Sequence, residues 1–284
     1  MRSSLVSSLF ALLLALPAPA QSSTPASNAP LPNPAELLQR AIANEHKLAA
    51  ERERYDCRVT DHTIETDSKG NTKKDTTEVL ELFYVRGIPI ERTLQKNGKD
   101  LTPDETKKED DRVMKETLKY NDPATAKKEA DKQHQTVGDI LEAMMLTDGH
   151  REHVNGRSVL FYYIVPNPYF AAKNVFQRAA QVMQGKISID EQTGRLIDLN
   201  VMSVADVKVV GGLLANLHKG FWLHLHDHAE PDGIWLNDLD EGSGDAREGL
   251  FFHPYFHFKE VTDNCRLYTA TVEQVGEAKP VRKP

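Results

Sequence analysis

Residues 76–98 read TTEVLELFYVRGIPIERTLQKNG. Two runs rich in β-branched, aromatic and aliphatic residues, 76–85 and 88–96, are divided by Arg86-Gly87. The second run ends at Asn97-Gly98, a pair that tolerates positive φ at both positions and so marks a tight antiparallel reversal. The stretch predicts two long strands folded back on each other, with a third reversal to follow. Upstream, Tyr55, Cys57 and Val59 alternate with polar residues, which is the period of a half-buried strand. Asp67-Ser68-Lys69-Gly70-Asn71 supplies the turn between that strand and the next.

The alternation is preceded by a helix. Asn33 suits the N-cap, Pro34 the first helical position, and Glu36 the acidic place of a capping box. Leu37, Leu38, Ala41, Ile42, Leu48 and Ala49 form one apolar stripe, so the helix is expected to run to about Arg54. Beyond Gly98, Thr102-Pro103-Asp104-Glu105 starts a second helix in the same way. Residues 103–135 are dense in acids and bases, with only Val113, Met114 and Leu118 in line, and Asn121-Asp122-Pro123 breaks them. They predict a solvated helical insertion. Thr136–Met145 reads as a short apolar helix and Asn174–Met183 as another. Strands are expected near 151–154, at 157–165, 186–190, 196–205, 221–228, 234–239, 249–258 and 265–273, with Asn155-Gly156 and Gln192-Thr193-Gly194 as turns. About ten antiparallel strands with helices between them predict an α+β fold: one large curved sheet, a half-barrel, covered by inserted helices. A single domain is expected over 34–275, with a disordered tail at 276–284.

The N-terminus predicts export. Arg2, the apolar run Leu5–Leu16 and Ala18-Pro19-Ala20 have the order of a cleavable signal peptide, residues 1–20. Residues 21–33, rich in Ser, Pro and Ala, read as a flexible linker. The apolar run is too short to span a bilayer, which takes about 20 residues. No later stretch is long enough either, so no integral span is expected. The chain carries 42 acidic against 35 basic residues, a net charge of −7. With no basic block it does not fit a nucleic-acid binder. Cys57 and Cys265 are the two cysteines. In an oxidising compartment they predict one disulfide, with two separate buried thiols as the alternative. In the chain-entropy model so long a loop gives about 5 kcal/mol before strain.

The chemistry-bearing residues are few. His224-Leu225-His226-Asp227-His228 places three imidazoles on one strand face with Trp222. His at alternate strand positions is a zinc-ligand pattern. His253, Tyr255 and His257 repeat the theme, about 10 Å away if the strand at 234 lies between. The plainer reading is that these histidines coat the solvent side of the sheet. His150-Arg151-Glu152-His153 lacks the zincin spacing. Asp238, Asp240, Glu241 and Asp245 read as a solvated acidic turn. No nucleophile elbow, P-loop or dinucleotide fingerprint occurs, so a non-enzymatic role with no cofactor is expected, zinc at His224, His226 and His228 being the exception to test.

The element order, and the stretch Gly185-Lys186-Ile187-Ser188-Ile189-Asp190-Glu191-Gln192-Thr193-Gly194-Arg195-Leu196, resemble the LolA/LolB-like periplasmic proteins. That superfamily includes lipoprotein carriers and anti-sigma regulators. Lys96-Asn97-Gly98-Lys99, Glu109-Asp110-Asp111-Arg112-Val113, Asn155-Gly156-Arg157, Pro166-Asn167-Pro168-Tyr169-Phe170, 211–220 and Asp232-Gly233-Ile234-Trp235-Leu236 resemble acidobacterial exported proteins of the lipoprotein-sorting-like group. The likeness spans roughly residues 34–272 and brings no catalytic residues. Cys57 and Cys265 depart from it, as a disulfide gained by this branch would. The resemblance implies a periplasmic carrier whose partner is a lipid acyl chain or a lipoprotein. An interaction or envelope-stress sensor module with another envelope protein as partner is the second expectation, and a metal-binding protein the third.

Overall fold

The computed structural model describes residues 29–67, 69–133, 137–208, 216–230, 234–245 and 255–267. The expected signal peptide, most of the linker, and the tail lie outside these residues.

Helix α1 (Pro34–Arg52) begins where the sequence places it. The Asn33 side chain accepts hydrogen bonds from Ala35 N at 2.9 Å and Glu36 N at 3.4 Å. Leu37, Leu38, Ala41, Ile42 and Leu48 are buried, so the apolar stripe faces the core. Four strands follow: β1 (Tyr55–Thr66), β2 (Thr72–Val85), β3 (Ile88–Lys96) and the two-residue β4 (Lys99–Asp100). Asn97 and Gly98 take φ of +51° and +72°, the left-handed pair that the two-residue turn requires. The charged insertion forms α2 (Pro103–Asn121), with no buried residue, and α3 (Pro123–Gln133). The α2 side chains close part of the open edge of β3. Glu109 accepts from Thr93 N at 2.8 Å, and Arg112 donates to the carbonyl of Glu91. Unpaired edge groups that would otherwise invite another strand are thereby satisfied.

The rest of the chain is α4 (Val137–Glu142), β5 (Met144–Val154), β6 (Arg157–Pro166), α5 (Val175–Ala180), β7 (Met183–Asp190), β8 (Leu196–Ser203), a small ladder of β9 (Val207–Lys208) and β10 (Asn216–Leu217), β11 (Trp222–Ala229), β12 (Trp235–Asp245) and β13 (Tyr255–Leu267). Eleven strands join in one antiparallel sheet of order β4-β3-β2-β1-β13-β12-β11-β8-β7-β6-β5. The α+β fold read from the sequence is therefore present, as an open curved sheet. Strand β1 pairs with β13, so the first and last strands meet in the middle of the sheet.

Three local readings change. The apolar helix expected to Met145 stops at Glu142, and β5 starts at Met144. The acidic turn expected around Asp238–Asp245 is the body of β12. Its glycines make room for neighbouring rings. A Cβ at Gly242 would lie 2.7 Å from the Phe258 ring, and one at Gly244 2.8 Å from the Phe221 ring. The expected strands at 249–258 and 265–273 are one strand where described, β13. The break between them is a bulge opposite Cys57, with Asn264 at φ +50°.

The core lies on one face of the sheet. Helices α1, α4 and α5 pack there over β5–β8 and β11, where Leu141, Leu160, Ile164, Ile189 and Leu199 are fully buried. The other side is called the outer face below.

Candidate functional site

The strand period decides which residues reach which face. Along β11, Trp222, His224, His226 and His228 point outward, while Leu225 and Asp227 point to the helices, as the alternation predicts. Each histidine meets a carboxylate, and Asp238 serves two of them, since it also lies 3.5 Å from His228 Nδ1. His224 Nε2 is 2.6 Å from Asp198, His226 Nδ1 2.6 Å from Asp238, and His228 Nε2 3.0 Å from Glu230. On β13, His257 lies 3.1 Å from Glu241 and its ring stands 6.4 Å from that of Trp222. His253 falls outside the described residues. Among the described residues no three His, Cys, Asp or Glu converge as a metal ion would need.

Cys57 and Cys265 form a disulfide with Cα atoms 4.0 Å apart. It bridges β1 and β13 at the bulge, joining positions 208 residues apart. The expected pairing is thus present, and no described cysteine is free.

The outer face of β5–β8 holds an open groove of about 740 Å³. Cross-strand pairing aligns Thr147, Tyr163, Lys186 and Asn200 across its middle. Tyr163 and Met202 are each 51% exposed and Val204 42%, an unusual accessibility for apolar side chains this close together. The Lys186 ammonium sits 5.9 Å from the Tyr163 ring centroid. A second hollow of about 510 Å³ adjoins it, lined by Val159, Phe161, Ile197, Trp235, His226 and His228 among others. Lys186 and Asp198 belong to both.

The helix face carries a different feature where β2, β1, β13 and β12 run side by side. Glu78 lies directly opposite Asp61, Asp61 opposite Glu260, and Glu260 opposite Asp240. Four carboxylates thus form one cross-strand row. Like charges placed directly opposite are destabilising unless something neutralises them. Burial pushes the Glu260 carboxyl up to about 7, helped by Asp240, Asp61 and Glu91. Burial likewise raises Asp240. The row continues toward α1. Asp227 is 3% exposed and receives Arg52 at 3.3 Å; burial raises it, with Arg52 opposing. Glu45 sits on the buried stripe of α1, 5% exposed, and burial and then Asp227 lift its carboxyl to about 7. Arg195 donates to Glu51 at 2.9 Å nearby.

This row was not read from the sequence, although a signal exists. Asp61 continues the inward phase of Tyr55, Cys57 and Val59, and Glu78 shares the phase of Leu80 and Leu82. An acid in step with core positions is the mark of a buried carboxylate.

No protein-family model and no curated protein matches the chain. Among solved structures, it is similar to a domain from Vibrio parahaemolyticus provisionally described as an outer membrane lipoprotein-sorting protein. The identity is 12%, the match covers 82% of this chain and 95% of that one, and the TM-score is 0.33. It is also similar to a DUF1329 family protein from Desulfovibrio piger, at 10% identity over 87% of this chain and 96% of that one, with a TM-score of 0.34. Values this low assign neither a lineage nor a function to the chain.

Proposed function

We propose that this is an exported, non-enzymatic binding protein of the cell envelope that carries a ligand with an apolar chain, such as a lipid or the acyl anchor of a lipoprotein. The observation that carries the reading is the outer groove. Its volume suits a small amphipathic ligand. Tyr163, Val165, Met202 and Val204 offer an apolar bed, and Lys186 with Asn200 offers a polar end beside it. The helix face was the other place to look for such a ligand. Over β5–β8 it is already filled by α1, α4 and α5. The disulfide supports export, since such bonds persist in oxidising compartments. The described helices include none long and apolar enough to cross a membrane.

Binding of a fluorescent fatty acid tests the reading. The purified protein is expected to bind it, and Met202→Glu with Val204→Glu to lose binding while keeping the thermal transition of the parent. Equal binding by the double variant would refute the groove as the site. Lipid extraction and mass spectrometry of protein from its native host then identify the cargo. The zinc reading for His224, His226 and His228 stays a separate proposal, checked by metal analysis of tag-free protein.

A further inference from the structure

We propose that the ligand is a two-chain phospholipid whose anionic phosphate sits on Lys186, with one acyl chain in each of the two outer hollows. This rests on the outer groove being the binding site and names the class of lipid that the groove takes.

The strand register places the two hollows on opposite sides of Lys186. The outward residues of β6 follow one another as Val159, Phe161, Tyr163 and Val165, about 6.6 Å between neighbours. Tyr163 lies opposite Lys186, and Phe161 opposite Ser188. Tyr163 and Val165 line the larger hollow with Met202 and Val204, whereas Val159 and Phe161 line the smaller with Ile197 and Trp235. Lys186 lines both. Two apolar beds therefore run away from one ammonium in opposite directions along the strands. A fatty acid fills one bed and leaves the other to water. A glycerol unit that carries a phosphate and two diverging chains fills both, and so buries more apolar surface.

The charges agree with an anion at the junction. Lys186 makes no ion pair among the described residues, and its ammonium stands 5.9 Å from the Tyr163 ring centroid. Asn200, directly opposite Lys186 on β8, adds an amide donor. The neighbouring charges are occupied or distant. Asp198 lies 2.6 Å from His224, Asp227 receives Arg52 at 3.3 Å, and Arg157 is held by Asp190 at 3.2 Å. Asp148 is on β5, two strands and about 10 Å from Lys186. Residues 155–189 include Arg157, Lys173, Arg178 and Lys186 and no acid, in a chain of net charge −7. An unpaired ammonium beside an amide donor, between apolar beds, is complementary to a lipid phosphate.

Displacement of the fluorescent fatty acid by soluble short-chain lipids is the test. Dioctanoyl phosphatidic acid should bind about tenfold more tightly than octanoyl lysophosphatidic acid, which has the same headgroup and one chain. It should also bind about tenfold more tightly than dioctanoylglycerol, which has both chains and no phosphate. Inorganic phosphate should not displace the probe, which separates a lipid headgroup from a free anion. Phe161→Glu and, independently, Ile197→Glu put a charge into the smaller hollow. Each should bring dioctanoyl phosphatidic acid down to the affinity of the one-chain lipid and leave fatty-acid binding as in the parent. Lys186→Gln should erase the preference for phosphatidic acid over dioctanoylglycerol. Equal affinity for one-chain and two-chain lipids in the parent, equal affinity with and without phosphate, or a two-chain preference that survives both Phe161→Glu and Ile197→Glu would overturn the proposal. A parent that binds no fatty acid at all would refute the groove itself, so the two failures are distinguishable.

Discussion

Glu45→Gln is expected to stabilise the protein, and to do so most at neutral and alkaline pH. The folded carboxyl sits at about 7 against an ordinary value of 4.5. A raised carboxyl means that the native state holds its proton longer than the unfolded chain does. Stability therefore falls as pH climbs from about 4.5 to about 7, and above 7 the full penalty applies. A shift of this size, at 1.36 kcal/mol per pH unit, amounts to about 3 kcal/mol above pH 8 and about 1 kcal/mol at pH 5. Glutamine keeps the shape and removes the charge. Urea unfolding of parent and variant at pH 5 and pH 8.5 measures both ends. The variant should gain about 2 kcal/mol on the parent between the two conditions, as read from the midpoint at constant m. Two guanidinium groups oppose the effect of burial. Arg52 and Arg195 pull the Glu45 carboxyl down, though less than burial pushes it up. If Glu45→Gln destabilises more at pH 8.5 than at pH 5, those guanidinium groups dominate and the burial argument is wrong.

Reduction of the Cys57–Cys265 disulfide should lower the unfolding temperature and release no second chain, as calorimetry with and without reductant will show; the entropic limit is about 5 kcal/mol. Arg52→Ala leaves Asp227 buried without its cation, so a loss of about 3 kcal/mol is expected at pH 8. That loss should shrink on acidification, since Asp227 is already biased toward its protonated form. Asn33→Ala removes the α1 cap and should destabilise by about 1 kcal/mol in urea, with no change in fatty-acid binding.

The strand architecture was legible because its signals are local. Asn97-Gly98 and Asn155-Gly156 fix tight turns, with all four residues at positive φ. The α1 stripe and the inward phase of β6–β8 follow from period alone. The errors came where one signal had two meanings. The acids Asp238, Asp240, Glu241 and Asp245 read as a solvated turn, yet they lie on a strand whose Gly242 and Gly244 leave space for Phe258 and Phe221. The sites were less legible for a different reason. The outer histidines are consecutive on one strand and could be named, but each is matched by an acid from elsewhere: Asp198 from β8, Asp238 from β12 and Glu230 from beyond β11. The carboxylate row draws on four segments spread from Asp61 to Glu260. Only the register of the sheet brings them together, and register is a tertiary property.

That register also accounts for where the disulfide lies. The β1–β13 pairing joins the most distant parts of the described chain, so it closes the longest loop in the sheet. The same seam sets Asp61 directly against Glu260, a contact that repels whenever both are ionised. Cys57 lies four residues before Asp61 on the same face of β1, and the bond to Cys265 holds the seam at its far end. A covalent tie at this position offsets both handicaps, the closure entropy and the repulsion. The two effects separate by pH. Closure entropy is indifferent to protonation, whereas the repulsion grows as the row ionises. Reduction of the disulfide should therefore lower stability at every pH, and the reduced protein should lose pairing at β1–β13 first on raising pH through 7. Hydrogen exchange of the Val59–Asp61 amides, compared at pH 6 and pH 8 after correction for intrinsic rates, reads this directly. Protection that falls equally across β5–β8 and β1–β13 in the reduced protein would show that the seam is not the weak point.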